Sequence, residues 1–423
     1  MRQFPTCRQS PAGPAVPRMN IVFVAPFPAE TTLRFVRATK ALGHGRLLGV
    51  VHTPPAGEDS GLFDDVARVD DPMDVGQLAA AVKSLAARHG RPDRILGILE
   101  PLQVELAKLR EHFGVEGTDV RTAELFRDKA LMKDALRAAG LPCARHRLLH
   151  SFQDAGAFID EVGFPIVLKP PAGMACQATW RIHSADTLRR ALDALEPRPG
   201  APVLAEEFLV GTEHSLETTT IRGEVKMTTS TDYHPNPLEV VENDWIQWVV
   251  VAPRELDGPG VAEASDLARR AVAALGLGSG TTHMEWFRRA DGTLAIGEIA
   301  ARPPGANIVR LTGLAHDTSM YRVWARAVVD EAFDGPFERR YAAGSAFLRG
   351  LGRGRVLGTE NIAEIQKSLG DLVVEAKLPT VGASKSASYE GDGYILVRHQ
   401  ETDVVREAMR RIVSLARVRY AAH

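Results

Sequence analysis

Apolar and polar positions along the chain fall into two rhythms, one typical of buried strands and one of half-buried helices. Asn20-Ile-Val-Phe-Val-Ala25 is a continuous apolar run closed by Pro26 and Pro28, the pattern of a buried strand. A helical spacing through Leu33, Val36 and Leu42 follows and stops at Gly43, a suitable C-cap. Leu47–Val51 and Arg94–Leu99 read as two more buried strands, with a helix near residues 74–89 between them. This alternation predicts a parallel α/β layer over residues 19–118. The layer contains no GxGxxG, so nothing in it marks a dinucleotide site.

Beyond it the rhythm changes. Apolar spacing from Ala123 to Ala139, carrying Lys129, Met132, Lys133, Leu136 and Arg137, predicts one helix ended by Gly140 and Pro142. Phe164–Leu168 is a short buried strand that runs into Lys169, followed by a helix over Ala185–Leu195 and a strand over Val203–Phe208. Ser215–Ile221 and Glu224–Thr229 form a hairpin about Arg222-Gly223. An alanine-rich amphipathic helix covers residues 261–275. Strands His283–Arg288 and Leu294–Ile299 then flank the turn Ala290-Asp-Gly-Thr293. A helix over 316–332 and a β-rich segment over 341–423, closed by a helix at Val404–Val418, complete the pattern.

Composition narrows the function classes. Of 423 residues, 45% are hydrophobic and 25% charged, with a net charge of −2, so no global field favours nucleic acid or an anionic membrane as partner. No apolar run reaches the ~18 residues that span a bilayer. Cys7, Cys143 and Cys176 form neither a CxxC pair nor a disulfide framework, so a reducing cytoplasm is the expected location. Residues 1–18 hold Pro5, Pro11, Pro14 and Pro17, with Arg2, Arg8 and Arg18 and no acid. They read as a disordered extension, either native or upstream of a true start at Met19.

Several polar groups stand at strand ends in a set order. Lys169 can project its ammonium onto a phosphate, or simply snorkel off a strand end. In Ala205-Glu-Glu-Phe-Leu209 and Gly211-Thr-Glu213, acids end a strand, where backbone groups can meet an adenine edge and a further acid can take ribose hydroxyls. Glu285 and Glu298 lie in the two strands of one hairpin, each six positions from the Asp291-Gly292 turn, so they fall roughly opposite each other, within a residue of register. Two facing carboxylates repel unless a hard cation such as Mg²⁺ joins them, the alternative being a structural pair with Arg302.

Taken together, these residues resemble the ATP-grasp superfamily, in particular its carboxylate–amine and L-amino-acid ligase branch. The stretch Phe126-Arg-Asp-Lys129, Met132-Lys133 and Ala139-Gly-Leu-Pro142 is similar to the entry helix of that family. The resemblance covers residues 119–330 best. It implies Lys129 and Lys169 as phosphate lysines, Glu206, Glu207 and Leu209 as the adenine hinge, and Glu213 on the ribose. It implies Glu285 and Glu298 as ligands of Mg²⁺ (or Mn²⁺), with Arg302 and the backbone near Gly305 facing an acyl phosphate. Two departures stand out. Gly173-Met-Ala-Cys-Gln-Ala-Thr179 is poorer in glycine than the phosphate-covering loop of the family, and Ala300 stands where an asparagine often adds a metal ligand.

The expected architecture is α/β and α+β. It has an extension (1–18), an N-terminal parallel α/β domain (19–118), a two-lobed ATP-grasp domain (119–205 and 206–340, the second with the metal hairpin) and a C-terminal β-rich domain (341–423). The expected chemistry is Mg-ATP-dependent amide bond formation between a small carboxylate and an amine, releasing ADP and phosphate. Its rivals are a biotin-carboxylase or purine-carboxylase type that activates bicarbonate, and a nucleotide-binding module without turnover. Tyr233, His234, Trp245 and Trp248 can wall a substrate pocket or pack in a core, and His283 shares the strand face of Glu285. A homodimer is compatible with the resemblance.

Overall fold

The computed structural model describes residues 19–173 and 178–421. The expectations for residues 1–18, and for the middle of the phosphate-covering loop with Cys176, lie outside the described residues. The chain forms two compact units, one up to Gly97 together with Leu109–Glu116, the other of Ile98–Lys108 and Gly117 onward.

The first unit follows the apolar runs. Strands β1 (Met19–Val24), β2 (Gly45–Val51), β3 (Asp65–Arg68) and β4 (Arg94–Leu96) make a parallel sheet in the order β3-β2-β1-β4, with helices α1 (Glu30–Lys40) and α2 (Val75–His89) between them. Unbroken apolar strands such as β1 and β2 are what a parallel sheet buried on both faces requires. Asp74 caps α2 by accepting the amides of Gly76 and Gln77. Strand β3, with charged residues at both ends, carries too weak an apolar signal to be read in advance.

The second unit opens with α3 (Gln103–Phe113, shared with the first), α4 (Val120–Arg127) and α5 (Lys129–Ala138). The single helix expected over 123–139 is in fact two, broken at Asp128. That residue takes an extended conformation, ψ 113°, and its carboxylate accepts the amides of Ala130 and Leu131. Breaking the helix there makes Lys129 the first residue of α5.

Strands β5 (His146–Leu149), β6 (Ile166–Lys169), β7 (Trp180–Ile182) and β8 (Val203–Glu207) form an antiparallel sheet in the order β5-β8-β6-β7. Helices α6 (Phe152–Val162) and α7 (Ala185–Leu195) close one core with it, around Leu149, Phe158, Leu168 and Leu192.

The largest layer is an eight-stranded antiparallel sheet. In chain order its members are β9 (Thr212–Ile221), β10 (Glu224–His234), β11 (Trp248–Ala252), β12 (Gly280–Arg288), β13 (Leu294–Ala300) and β14 (Ala342–Leu348). After β15 (Val356–Glu360) come β16 (Val373–Lys377) and β17 (Gly393–His399), and the spatial order is β13-β12-β9-β10-β11-β14-β17-β16. The boundary expected at residue 340 therefore does not interrupt this sheet. Strand β15 pairs separately with β18 (Arg417–Tyr420).

Helices α8 (Pro237–Glu242) and α9 (Val261–Leu275) lie between these strands in sequence, as do α10 (Ile308–His316) and α11 (Met320–Asp330). The helix expected over 316–332 is thus α11 alone, and α10 was not foreseen. Asp317, in the left-handed region at φ 50°, ends α10, and Ser319 caps α11 through the Arg322 amide. Helix α12 (Ile362–Leu369) and α13 (Thr402–Leu415) cover the far end of the sheet around Ile395, Val397, Val405 and Ile412. Among the described residues no helix is long and apolar enough to cross a membrane.

Candidate active site

Alternation along β9, β12 and β13 sorts their side chains onto two faces. Leu216, Met284, Trp286, Ile296 and Ile299 pack against Leu267, Ala271 and Leu275 of α9 and Met132 and Leu136 of α5, a continuous apolar core. The intervening residues face the other way and are polar. Glu285 stands directly opposite Glu298, and Ser215 opposite Glu285 on the other side. The β12–β13 register shifts by one residue at Gly297, after the Glu285–Glu298 pair. A Cβ on Gly297 would come within 2.9 Å of the Phe287 ring, so the bulge needs a glycine. Its carbonyl accepts from the fully buried Lys133 Nζ at 2.5 Å.

Lysines converge on these carboxylates. Lys129 Nζ lies 2.9 Å from Glu298 Oε1 and donates to the Gly173 carbonyl at 2.9 Å. Lys169 Nζ lies 2.9 Å from Glu206 Oε2, and Lys133 Nζ lies 3.4 Å from Glu206 Oε1. Burial opposes ionisation of Glu298, but Lys129 and Lys169 overcome it and draw its carboxyl down to about 2. At Glu206 the same contest, with Lys133 and Lys169 winning, leaves a lowered carboxyl. Glu213 has the opposite fate: burial and the neighbouring Glu285 push it well above the usual carboxylate range.

Each expected site residue can now be located. Lys129, Lys169, Glu206, Glu213, Glu285, Glu298 and His283 form one connected set of charges. The Glu206 side chain is committed to two lysines, and that of Glu207 to Arg145 (2.5 Å) and Arg289 (3.1 Å), so any hinge role of theirs rests on backbone groups. Leu209 is buried beside Ala144, Ala295 and Phe287, an apolar patch next to that strand end. Gly305 precedes two left-handed residues, Ala306 and Asn307, and the Ala306 amide donates to Glu390 Oε1 at 2.8 Å.

Three expectations need correction. Arg302 is bonded away from Glu298, although that charge still acts on it: its Nε donates to the buried Glu100, and its second nitrogen to the Pro303 carbonyl at 2.9 Å. Trp248 walls no pocket. It is 1% exposed, stacks on Phe347 at 4.7 Å and donates its indole N–H to the Tyr389 carbonyl. His234 is exposed at the end of β10, on the side of Asp232 and Arg406, away from the carboxylate face. Its predecessor Tyr233 faces the carboxylates instead. Burial, then Glu285, Glu217 and Glu213, raise that phenol well above its ordinary range.

Three residues of this face escaped sequence reasoning. Glu100 precedes a proline in a short turn far from its partner in sequence, and no local pattern announces it. Lys133 was visible only as part of the entry-helix motif. Glu217 follows Glu213 and Ser215 at a spacing of two, and that periodicity was the available signal. Its Oε1 lies 2.9 Å from His283 Nδ1, while Oε2 has no hydrogen-bond partner among the described residues. His283 Nε2 lies 3.7 Å from Glu285 Oε1. Burial works against the imidazolium, yet the hydrogen bond to Glu217 and the nearby Glu285 carboxylate prevail and raise it to about 9.

A divalent cation suits this donor set. Among the described residues no three His, Cys, Asp or Glu side chains converge as a self-sufficient cage. Two cross-strand carboxylates fit a hard ion such as Mg²⁺, which takes oxygen ligands.

The family model described as "ATP-grasp domain" matches residues 134–316, the stretch that holds most of these acids together with Lys169. An L-arginine-specific L-amino acid ligase of Bacillus subtilis is 26% identical over 264 residues, 61% of this chain and 62% of that protein. The chain spans about half to three-fifths of the length of the curated relatives it matches. Among solved structures, L-amino acid ligase from Bacillus licheniformis superposes with a TM-score of 0.78 at 18% identity, covering 95% of this chain and 99% of that one. N5-carboxyaminoimidazole synthetase from Staphylococcus aureus, complexed with ADP, gives 0.69 at 16% identity over 93% and 97%. These two likenesses establish the shared fold.

Proposed function

We propose that this chain is an ADP-forming carboxylate–amine ligase that uses ATP with Mg²⁺, or Mn²⁺, to join a small carboxylate to an amine through an acyl phosphate. The observation that carries the proposal is the Glu285–Glu298 pair, facing across one hairpin on the polar face, with Lys129 and Lys169 directed at the same cluster. Similarity in sequence to an L-arginine-specific L-amino acid ligase supports an amine as the acceptor.

In this reading the backbone of Glu206, Glu207 and Leu209 receives adenine and Glu213 the ribose. The Glu213 carboxyl can accept from a ribose hydroxyl. Lys129 and Lys169 turn from Glu298 and Glu206 to the triphosphate. Glu285 and Glu298 hold the cation, which when bound neutralises charge on the phosphates. Phosphoryl transfer demands alignment and charge neutralisation more than covalent help. The substrate carboxylate attacks the γ-phosphorus and ADP leaves. The amine then attacks the acyl carbon, phosphate departs with the bonding electron pair, and the amine proton passes to solvent or phosphate. Arg302, held in place by Glu100, stabilises the oxyanion formed in that step. The same proposal takes small molecules as substrates and the cytoplasm as the place of action.

An ADP-release screen over carboxylates and amino acids, singly and in pairs, with hydroxylamine trapping, tests it. Release that requires two partners, and hydroxamate from one carboxylate, is the expected result. ADP release with bicarbonate alone moves the chain to the carboxylase type. Nucleotide binding without release under any pair leaves a binding module.

A further inference from the structure

A carboxylate that ligates a metal works only if something holds its other side, and residues that do so affect metal affinity nearly as much as the ligands. Around Glu298 that work falls to Lys129. Lys133 and Lys169 are engaged with Glu206. At Glu285 the neighbouring side chain is His283, two residues earlier on the same face of β12, with Nε2 at 3.7 Å. The imidazole is itself fixed from behind, because Glu217 stands directly across the β9–β12 ladder and takes Nδ1 at 2.9 Å. The three side chains form a line: Glu217, His283, Glu285.

Glu217 is a costly residue to keep there. It is 8% exposed, and one of its oxygens is unpartnered. Burying a carboxylate costs on the order of several kcal/mol unless its partners repay it. The neighbouring positions show what the strand takes when only pairing is required: Thr218 and Thr282 bond each other across the same two strands at 2.7 Å. Arg339, the other charged group near Glu217, is bound to the Pro253 and Ser230 carbonyls and the Thr229 hydroxyl rather than to this carboxylate. Among the described residues, the side chain hydrogen-bonded to Glu217 is that of His283.

We propose that Glu217 is a positioning residue for the metal site, acting through His283 to hold the Glu285 carboxylate in the orientation that binds the divalent ion. The inference rests on the reading of Glu285 as a metal ligand. The same line explains why a histidine, with nitrogens on two sides of a flat ring, occupies position 283: one nitrogen meets Glu217 while the other is turned toward Glu285.

The test is Mn²⁺ binding, followed by the free-ion electron paramagnetic resonance signal, with the full chain and a non-hydrolysable ATP analogue. Glu217→Gln and His283→Gln should each weaken Mn²⁺ binding about 10–100-fold, with affinity for the metal-free analogue unchanged. In a Glu285→Ala background, Glu217→Gln should cause no further loss, since the residue through which it acts is gone. Either variant alone decides the matter if the other folds poorly, and the melting temperature reports folding. Mn²⁺ binding within twofold of wild type in the folded variants overturns the inference, as does a loss fully additive with Glu285→Ala. If wild-type protein with the analogue takes up no Mn²⁺ at all, the metal reading of Glu285 and Glu298 itself fails.

Discussion

The two faces of one hairpin, β12 with β13, have opposite tasks. On one face Met284, Ile296 and Ile299 are fully buried against apolar neighbours, and Trp286, equally buried in that core, also stacks on the His214 ring at 4.5 Å. On the other, one residue away in each case, Glu285, His283 and Glu298 stand among acids and lysines. Local propensity is the same for both faces, since the strands are the same. The apolar face supplies the burial that keeps the strands in register, and that surplus lets the polar face hold groups whose mutual repulsion would destabilise an isolated sheet. Stability and chemistry thus separate at a spacing of one residue.

Substitutions on the two faces should break that comparison in opposite ways. The largest effect belongs to Glu285→Gln, which should lower ADP release about a thousandfold. It should keep or raise the melting temperature, because Glu213 loses its repulsive neighbour. Trp286→Ala, on the apolar face, should cost about 3–5 kcal/mol in denaturant unfolding by opening a cavity. Lys133→Met is intermediate in kind, since this fully buried lysine links the Gly297 bulge to Glu206. Removing one partner of a buried pair should cost about 3 kcal/mol, read in the same unfolding experiment. A Lys133→Met protein as stable as wild type would show that the bulge needs no brace.

The smallest effect is on pH dependence. His283 is raised from 6.5 to about 9 in the folded ligand-free protein, so it binds its proton more tightly there than when unfolded. Its contribution to stability is complete below pH 6.5 and is lost as pH rises through about 9. The urea midpoint of His283→Gln should therefore change less than that of wild type across this window. An identical slope in both proteins would mean that the proton is not held there.

Much of this arrangement was legible in the sequence because a hairpin turn and a period of two fix which residues face each other. Counting six positions each way from Asp291-Gly292 put Glu285 opposite Glu298, and the observed pairing is the same. It holds for a subtler reason than a regular ladder. Arg288 pairs with Leu294, a register that would place Glu285 opposite Gly297, and the bulge at Gly297 restores the pair. What was not legible depends on contacts between distant segments. Glu100 meets Arg302 across 202 positions of sequence, and the stacking of Trp248 on Phe347 joins strands that only the folded sheet brings together. The break at Asp128 was legible in principle, as an aspartate N-cap inside an otherwise continuous apolar spacing.

A crystal structure with Mn²⁺ and a non-hydrolysable ATP analogue tests the central claim most directly, because anomalous scattering locates the ion. The account predicts one anomalous peak bound by carboxylate oxygens of both Glu285 and Glu298 and by phosphate oxygens, with Lys129 turned from Glu298 to the nucleotide. A bound analogue with Lys129 still on Glu298, and the ion elsewhere or absent, would contradict it.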